Sequence, residues 1–188
     1  DNILNRKAPF LVEDSRFLLL MRGEADVTVN LINRRFHAGM LIYVGRGSVA
    51  QINRVSPDFM PHGMLMGDDF LNLAFDGRLP VSLCGSESSF HMLLPEHDMA
   101  VLSGMMRVIW DVVHQSPFCR DAVLGMASAF VNYADWLRQR QISSPVNVRS
   151  RGREVFERFI TLVNTHCRDE RQLSFYACLL YTSPSPRD

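Results

Sequence analysis

The chain has 188 residues, 47% of them hydrophobic and 21% charged, with 20 basic and 20 acidic side chains and no net charge. That length suits one domain or two small ones, and the composition excludes a disordered chain, a collagen and a disulfide scaffold. No apolar run nears the roughly 20 residues that span a bilayer, and Asp1-Asn2-Ile3-Leu4-Asn5 lacks the basic-then-apolar order of a signal peptide.

Residues 1 to about 95 read as β-structure. Phe17-Leu18-Leu19-Leu20-Met21-Arg22 is a short apolar strand ended by Gly23-Glu24. Ala25 to Ile32 alternates, with Val27, Val29 and Leu31 on one face and Asp26, Thr28 and Asn30 on the other, the period of a half-buried strand. Asn33-Arg34 is read as the turn that follows. Met40-Leu41-Ile42-Tyr43-Val44 is the next strand, Gly45-Arg46-Gly47-Ser48 a turn, and Val49 to Val55 a further strand. His62 to Gly67 closes the series. Short strands between Gly and Pro turns predict an antiparallel barrel or sandwich.

From 96 to 141 the period changes to that of helices. Leu102, Met105, Met106, Ile109, Trp110 and Val113 recur at three and four residues. Ser116-Pro117 offers an N-cap and a first-turn proline, and Val123, Met126, Ala127, Phe130, Ala134 and Leu137 form a second stripe. So short a connection makes the two helices antiparallel neighbours. Their apolar faces fit either an intramolecular core or a homodimer face through Met105, Ile109, Phe130 and Leu137. Residues 142–151 read as a linker, and Val155, Phe156, Phe159, Ile160 and Val163 mark a helix within 152–177. Residues 178–188, Cys178 to Asp188, match a translated transposase sequencing adaptor and are expected to be an artefact.

Charge is uneven. Residues 58–98 carry one basic and seven acidic side chains, whereas 138–158 hold six Arg against Glu154 and Glu157. Such a cationic stretch is either a solvated linker or a surface for phosphates. Of the 20 basic residues only Lys7 is lysine, which fits a GC-rich genome as well as a preference for planar anion contacts. With Cys178 set aside, Cys84, Cys119 and Cys167 are an odd number without metal-ligand spacing, as expected for reduced, mostly buried thiols of a cytoplasmic protein.

The order of these parts, with Arg22-Gly23-Glu24-Ala25-Asp26-Val27, Ala38-Gly39-Met40-Leu41-Ile42-Tyr43-Val44, and Phe156-Glu157-Arg158-Phe159 through Leu173-Ser174-Phe175-Tyr176-Ala177, resembles AraC-family transcription regulators of the Bacteroidetes type. In the second fragment Ala38 and Met40 stand where the family has Pro and Asp. The resemblance implies an α+β fold: an N-terminal antiparallel cupin-like β-barrel, an antiparallel helix pair, and a truncated all-α stub opening a helix-turn-helix domain. It implies a homodimeric sensor whose barrel binds a small effector and whose parent protein, rather than this fragment, binds DNA specifically. Arg149, Arg151, Arg153 and Arg158 would add weak, salt-dependent phosphate attraction.

Inside such a barrel, candidate ligand-binding residues on or beside predicted strands are Arg22, His37, Tyr43, Gln51, Asn53 and His62. No two of the six His stand at His-x-His spacing, so no metal or other cofactor is expected. No Gly-x-Ser-x-Gly elbow marks a catalytic nucleophile. The expectation is a non-enzyme; the alternative is a stand-alone metal-free cupin that binds or transforms a small molecule.

Overall fold

A computed structural model describes residues 8–83, 89–142 and 172–181, together with single positions 155, 159, 162, 166 and 170. Its elements are β1 (Phe10–Leu11), β2 (Ser15–Arg22), β3 (Glu24–Val29), β4 (Ile32–His37), β5 (Met40–Val44), β6 (Val49–Val55), β7 (Met60–Met66), α1 (Asp68–Ala74), β8 (Ser89–Leu93), α2 (Glu96–Val113), α3 (Arg120–Ile142) and α4 (Leu173–Tyr181), with a 3-10 turn at Val81–Leu83. The strands form two antiparallel four-stranded sheets, ordered β1-β6-β3-β4 and β7-β2-β5-β8.

Three layers result. Val12, Leu20, Val29, Phe36, Ile42, Val44 and Ala50 fill the space between the two sheets. Phe17, Leu19, Leu41, Tyr43, Met66 and Met92 point from the other face of the second sheet onto Leu102, Met106, Ile109, Phe130, Val131, Ala134 and Leu137 of α2 and α3. This second sheet is therefore buried on both faces. That is why β2 and β5 read as continuous apolar runs while β3, exposed on one side, alternates. The helix pair is tied by Tyr133, whose hydroxyl donates to Asp98 Oδ1 at 2.8 Å. The same carboxylate holds the phenol's proton and raises its pKa above the usual range.

The α+β class is as expected, but the β-domain is a sandwich rather than a closed barrel. A barrel needs its last strand bonded to its first. Here β1 and β4 end one sheet, β7 and β8 end the other, and among the described residues no edge pairs across. The strand expected over Ala25 to Ile32 stops at Val29. Asn30 and Leu31 have φ of +49° and +67° and form a two-residue hairpin turn, after which β4 pairs back from Val29↔Ile32 to Glu24↔His37. Asn30 tolerates this backbone, and its Oδ1 accepts from the Val49 amide at 2.9 Å. Leu31, expected on the buried face, is 95% exposed at the tip.

Helix α3 begins at Arg120, so Ser116-Pro117 lies in the connection rather than at its first turn. The described positions 155, 159, 162 and 166 are helical, within the stretch 152–177 where a helix is expected. Helix α4 does not stop at Ala177. It runs on through Cys178, Leu179 and Leu180 to Tyr181, into the segment read as adaptor.

Candidate functional site

The two sheets come apart along the β4 and β8 edges, which leaves a small cleft into the sandwich. Val29, Arg34, Phe36, Ile42, Val44, Ser89 and His91 border it, and its free volume is about 10 Å³, on the scale that one water needs. Register fixes the two polar side chains inward. Arg34 stands opposite Val27, which packs in the inter-sheet core, and His91 stands opposite Ile42. Arg34 Nη1 donates to Nδ1 of His91 at 3.4 Å, which requires the neutral imidazole with its proton on Nε2. The Phe36 ring meets the imidazole edge-on at 5.4 Å. Burial, and then the Arg34 charge, push the His91 pKa below its ordinary value.

Strand β8 has a second face, and α3 holds it. Phe90 packs on Tyr43 at 5.3 Å and lies under the Arg138 guanidinium at 4.7 Å. Gln141, in the last turn of α3, donates to the Leu93 carbonyl at 2.6 Å. One strand thus carries a cleft histidine on one side and the end of a long helix on the other.

The six residues expected to line a ligand cavity do not converge. Arg22 is exposed, its Nη2 donating to Met60 Sδ at 3.3 Å. His37 is exposed at the end of β4, where its Nδ1 donates to the Ala38 carbonyl at 3.0 Å. Tyr43 borders the cleft, but its ring lies on the helix side with its hydroxyl 3.2 Å from Ser15 Oγ. Gln51 stands opposite Thr28 on the outer face of the first sheet. Asn53 Nδ2 donates to Thr28 Oγ1 at 2.9 Å and to Asn33 Oδ1 at 3.4 Å. His62 lies exposed on the edge strand β7, opposite Leu19. The residues that the sequence reading missed are Arg34, which it assigned to a turn, and His91, one of the six His without metal-ligand spacing.

Of the four positions offered for a dimer face, Ile109, Phe130 and Leu137 are buried in the chain's own core and Met105 packs half-buried against it. The stripe is covered from within, because the second sheet presents an apolar face that the helices must cover. Arg149, Arg151, Arg153 and Arg158 lie outside the described residues. Among the described residues no three His, Cys, Asp or Glu side chains come together as a metal would need, and no helix is long and apolar enough to cross a membrane.

No protein-family model matches the chain, and no curated protein does. Similar solved structures include an apo variant of ToxT from Vibrio cholerae strain SCE256, with TM-score 0.46 and 11% identity over 95% of this chain and 68% of that one. Wild-type ToxT of that strain bound to an unsaturated fatty acid gives TM-score 0.44 and 10% identity over 90% and 61%. The AraC-like transcriptional activator CuxR gives 0.40 and 14% over 92% and 58%.

Proposed function

We propose that this chain is the sensor part of an AraC-type transcription regulator, in which a small effector enters between the two sheets and its arrival is passed to a C-terminal DNA-binding part. The observation that carries the reading is the double role of β8. His91 on one face borders the cleft, while on the other Phe90 lies under Arg138 and the Leu93 carbonyl holds Gln141 of α3. An effector that wedges β8 away from β4 displaces the last turn of α3, and the chain leaves that turn toward the basic stretch 149–158. An effector acts only through its different affinity for the two arrangements. A helix end bonded to the moving strand supplies such a difference.

In this reading the protein is not an enzyme, and it works in the cytoplasm as a homodimer without metal or membrane. The helix stripe is used up internally, so the homodimer forms through the outward sides of α2 and α3, where Val108, Trp110 and Trp136 are 47%, 63% and 49% exposed. Residues 1–95 and 96–141 act as one sensing unit because they share a core. Residues 152–177 open the DNA-binding part, and Arg149, Arg151, Arg153 and Arg158 face phosphates in the parent protein.

The test is DNA selection with the full-length product of the source gene. Enrichment from a random duplex library of two half-sites about 10 base pairs apart, one helical turn, is expected. Recovery of no preferred sequence in moderate salt refutes the regulator reading. In the parent, the double change Gln141→Ala and Arg138→Ala is expected to leave DNA affinity intact and to abolish its response to effector.

A further inference from the structure

Two adjacent arginines on β4 are treated very differently. Arg35 faces solvent and is saturated with carboxylates: its Nη2 lies 2.8 Å from both Glu24 oxygens and its Nε 3.9 Å from Asp26. Arg34, one residue earlier, points into the sandwich and is half-buried among Val29, Phe36, Ile42 and Val44. Among the described residues no carboxylate pairs with it. Its polar contact is the neutral imidazole of His91. A guanidinium partly withdrawn from water without a counter-charge costs free energy. That cost is lifted by an anion, above all a planar one that takes two parallel N–H donors.

Resting on the sensor reading above, we infer that the effector is a small organic anion, a carboxylate with a short apolar tail, whose charge is held by Arg34 and whose tail lies on Val29, Phe36, Ile42 and Val44. The closed cleft has room for little more than a water. It opens without breaking any sheet ladder, because β4 and β8 are edges of different sheets joined by no backbone ladder; among the described residues the Arg34–His91 contact is the hydrogen bond to be given up. His91 sits where a carboxylate held by Arg34 also meets an N–H once the imidazole is protonated. The acidic residue nearest to the cleft in sequence is Glu87, two residues before Ser89, and its variant serves as a control.

The experiment is an NMR titration of the whole chain with acetate, propanoate, butanoate and hexanoate, each against the amide of the same length. It follows the β4 and β8 amides and the His91 imidazole. One acid is expected to saturate and to bind at least about tenfold more tightly than its amide. Arg34→Gln is expected to remove that advantage and Arg34→Lys to keep part of it, while bound acid raises the pH at which His91 titrates. If amides bind as well as acids, or Arg34→Gln binds acids unchanged, the anion inference fails and the cleft remains an effector site. If Glu87→Gln creates binding that the wild type lacks, Arg34 is neutralised from within and the inference fails in the same way. No saturable shift in any variant with acid or amide at tens of millimolar ends the inference and the effector reading of the cleft together.

Discussion

Replacing Phe130 by Ala distinguishes a core helix stripe from a dimer face. Phe130 is fully buried and meets Phe17 edge-on at 5.4 Å, and Phe17 in turn packs on Tyr43 at 4.7 Å. The ring thus joins α3 to the central strands of the second sheet. Removing it loses about 2–3 kcal/mol of transfer free energy. The cavity adds more, at about 24 cal/mol per Å³. Full retention of the void is not expected here. Eight of the ten methionines lie in or against this layer, among them Met66, Met92, Met106 and Met126, and such side chains re-pack readily. A residual void of roughly 60–80 Å³ adds about 1.5–2 kcal/mol and brings the loss to about 4 kcal/mol, a large part of a typical domain's stability. The assay is urea unfolding followed by circular dichroism at two protein concentrations a decade apart. The loss should be equal at both. A loss below about 1 kcal/mol, or a concentration dependence that the wild type shows and the variant lacks, would place Phe130 against a second copy instead.

Three smaller changes test the backbone and the cleft. Gly23 has φ +77°, and a Cβ there would collide with Ser56 Oγ and lie 2.7 Å from Phe59 Cα, so Gly23→Ala should cost at least about 2 kcal/mol by thermal melting. Leu31→Gly should do the reverse, raising stability by about 0.5–1 kcal/mol, since glycine accepts the positive φ of the hairpin turn and the leucine buries almost nothing; a loss of stability would mean that Leu31 packs on something in solution. The His91 imidazole, held below its ordinary 6.5 mainly by burial, takes its proton later in the folded state than in the unfolded one. Stability is therefore level at higher pH and falls as pH drops through 6.5 toward the folded midpoint. Arg34→Gln, by removing the lesser cause, should move that midpoint upward in an NMR titration, and a midpoint that stays put would show that Arg34 does not sense His91.

Much of the fold was legible because burial writes itself into period. The double-sided burial of β2 and β5 appears as Phe17-Leu18-Leu19-Leu20-Met21 and Met40-Leu41-Ile42-Tyr43-Val44, and the helix pair as stripes at three and four residues. What was lost has physical causes. β1 is two residues long and shows no period at all. β4 reads Ile32-Asn33-Arg34-Arg35-Phe36-His37, polar enough to pass for a turn, because it is an edge strand with one face in solvent. Its turn lacks the usual glycine; Asn30-Leu31 adopts positive φ on the strength of Asn30's bond to Val49. Closure into a barrel is a matter of which edges pair, and no local pattern encodes that.

The site was hidden by the same edge strand. Once Asn33-Arg34 is taken as a turn, Arg34 has no face, and an inward-pointing arginine cannot be found. Set β4 in register with β3, and Val27 across from Arg34 puts the guanidinium inside while Asp26 across from Arg35 puts its neighbour outside. One misplaced turn therefore left both arginines without a face, and the register with β3 is what separates them, since successive side chains of a strand point to opposite sides. The polar residues chosen instead, Gln51 and Asn53, do lie on one face, but it is the outer one: Gln51 stands opposite Thr28, and Asn53, the residue left over where β3 and β6 slip register between Asp26 and Val27, bonds to Thr28 and Asn33 there. In a sandwich this thin, the residues able to meet a ligand are those at edges that no ladder seals. β4 and β8 are such a pair, and there the apolar interior holds an arginine and a histidine with no acid beside them among the described residues.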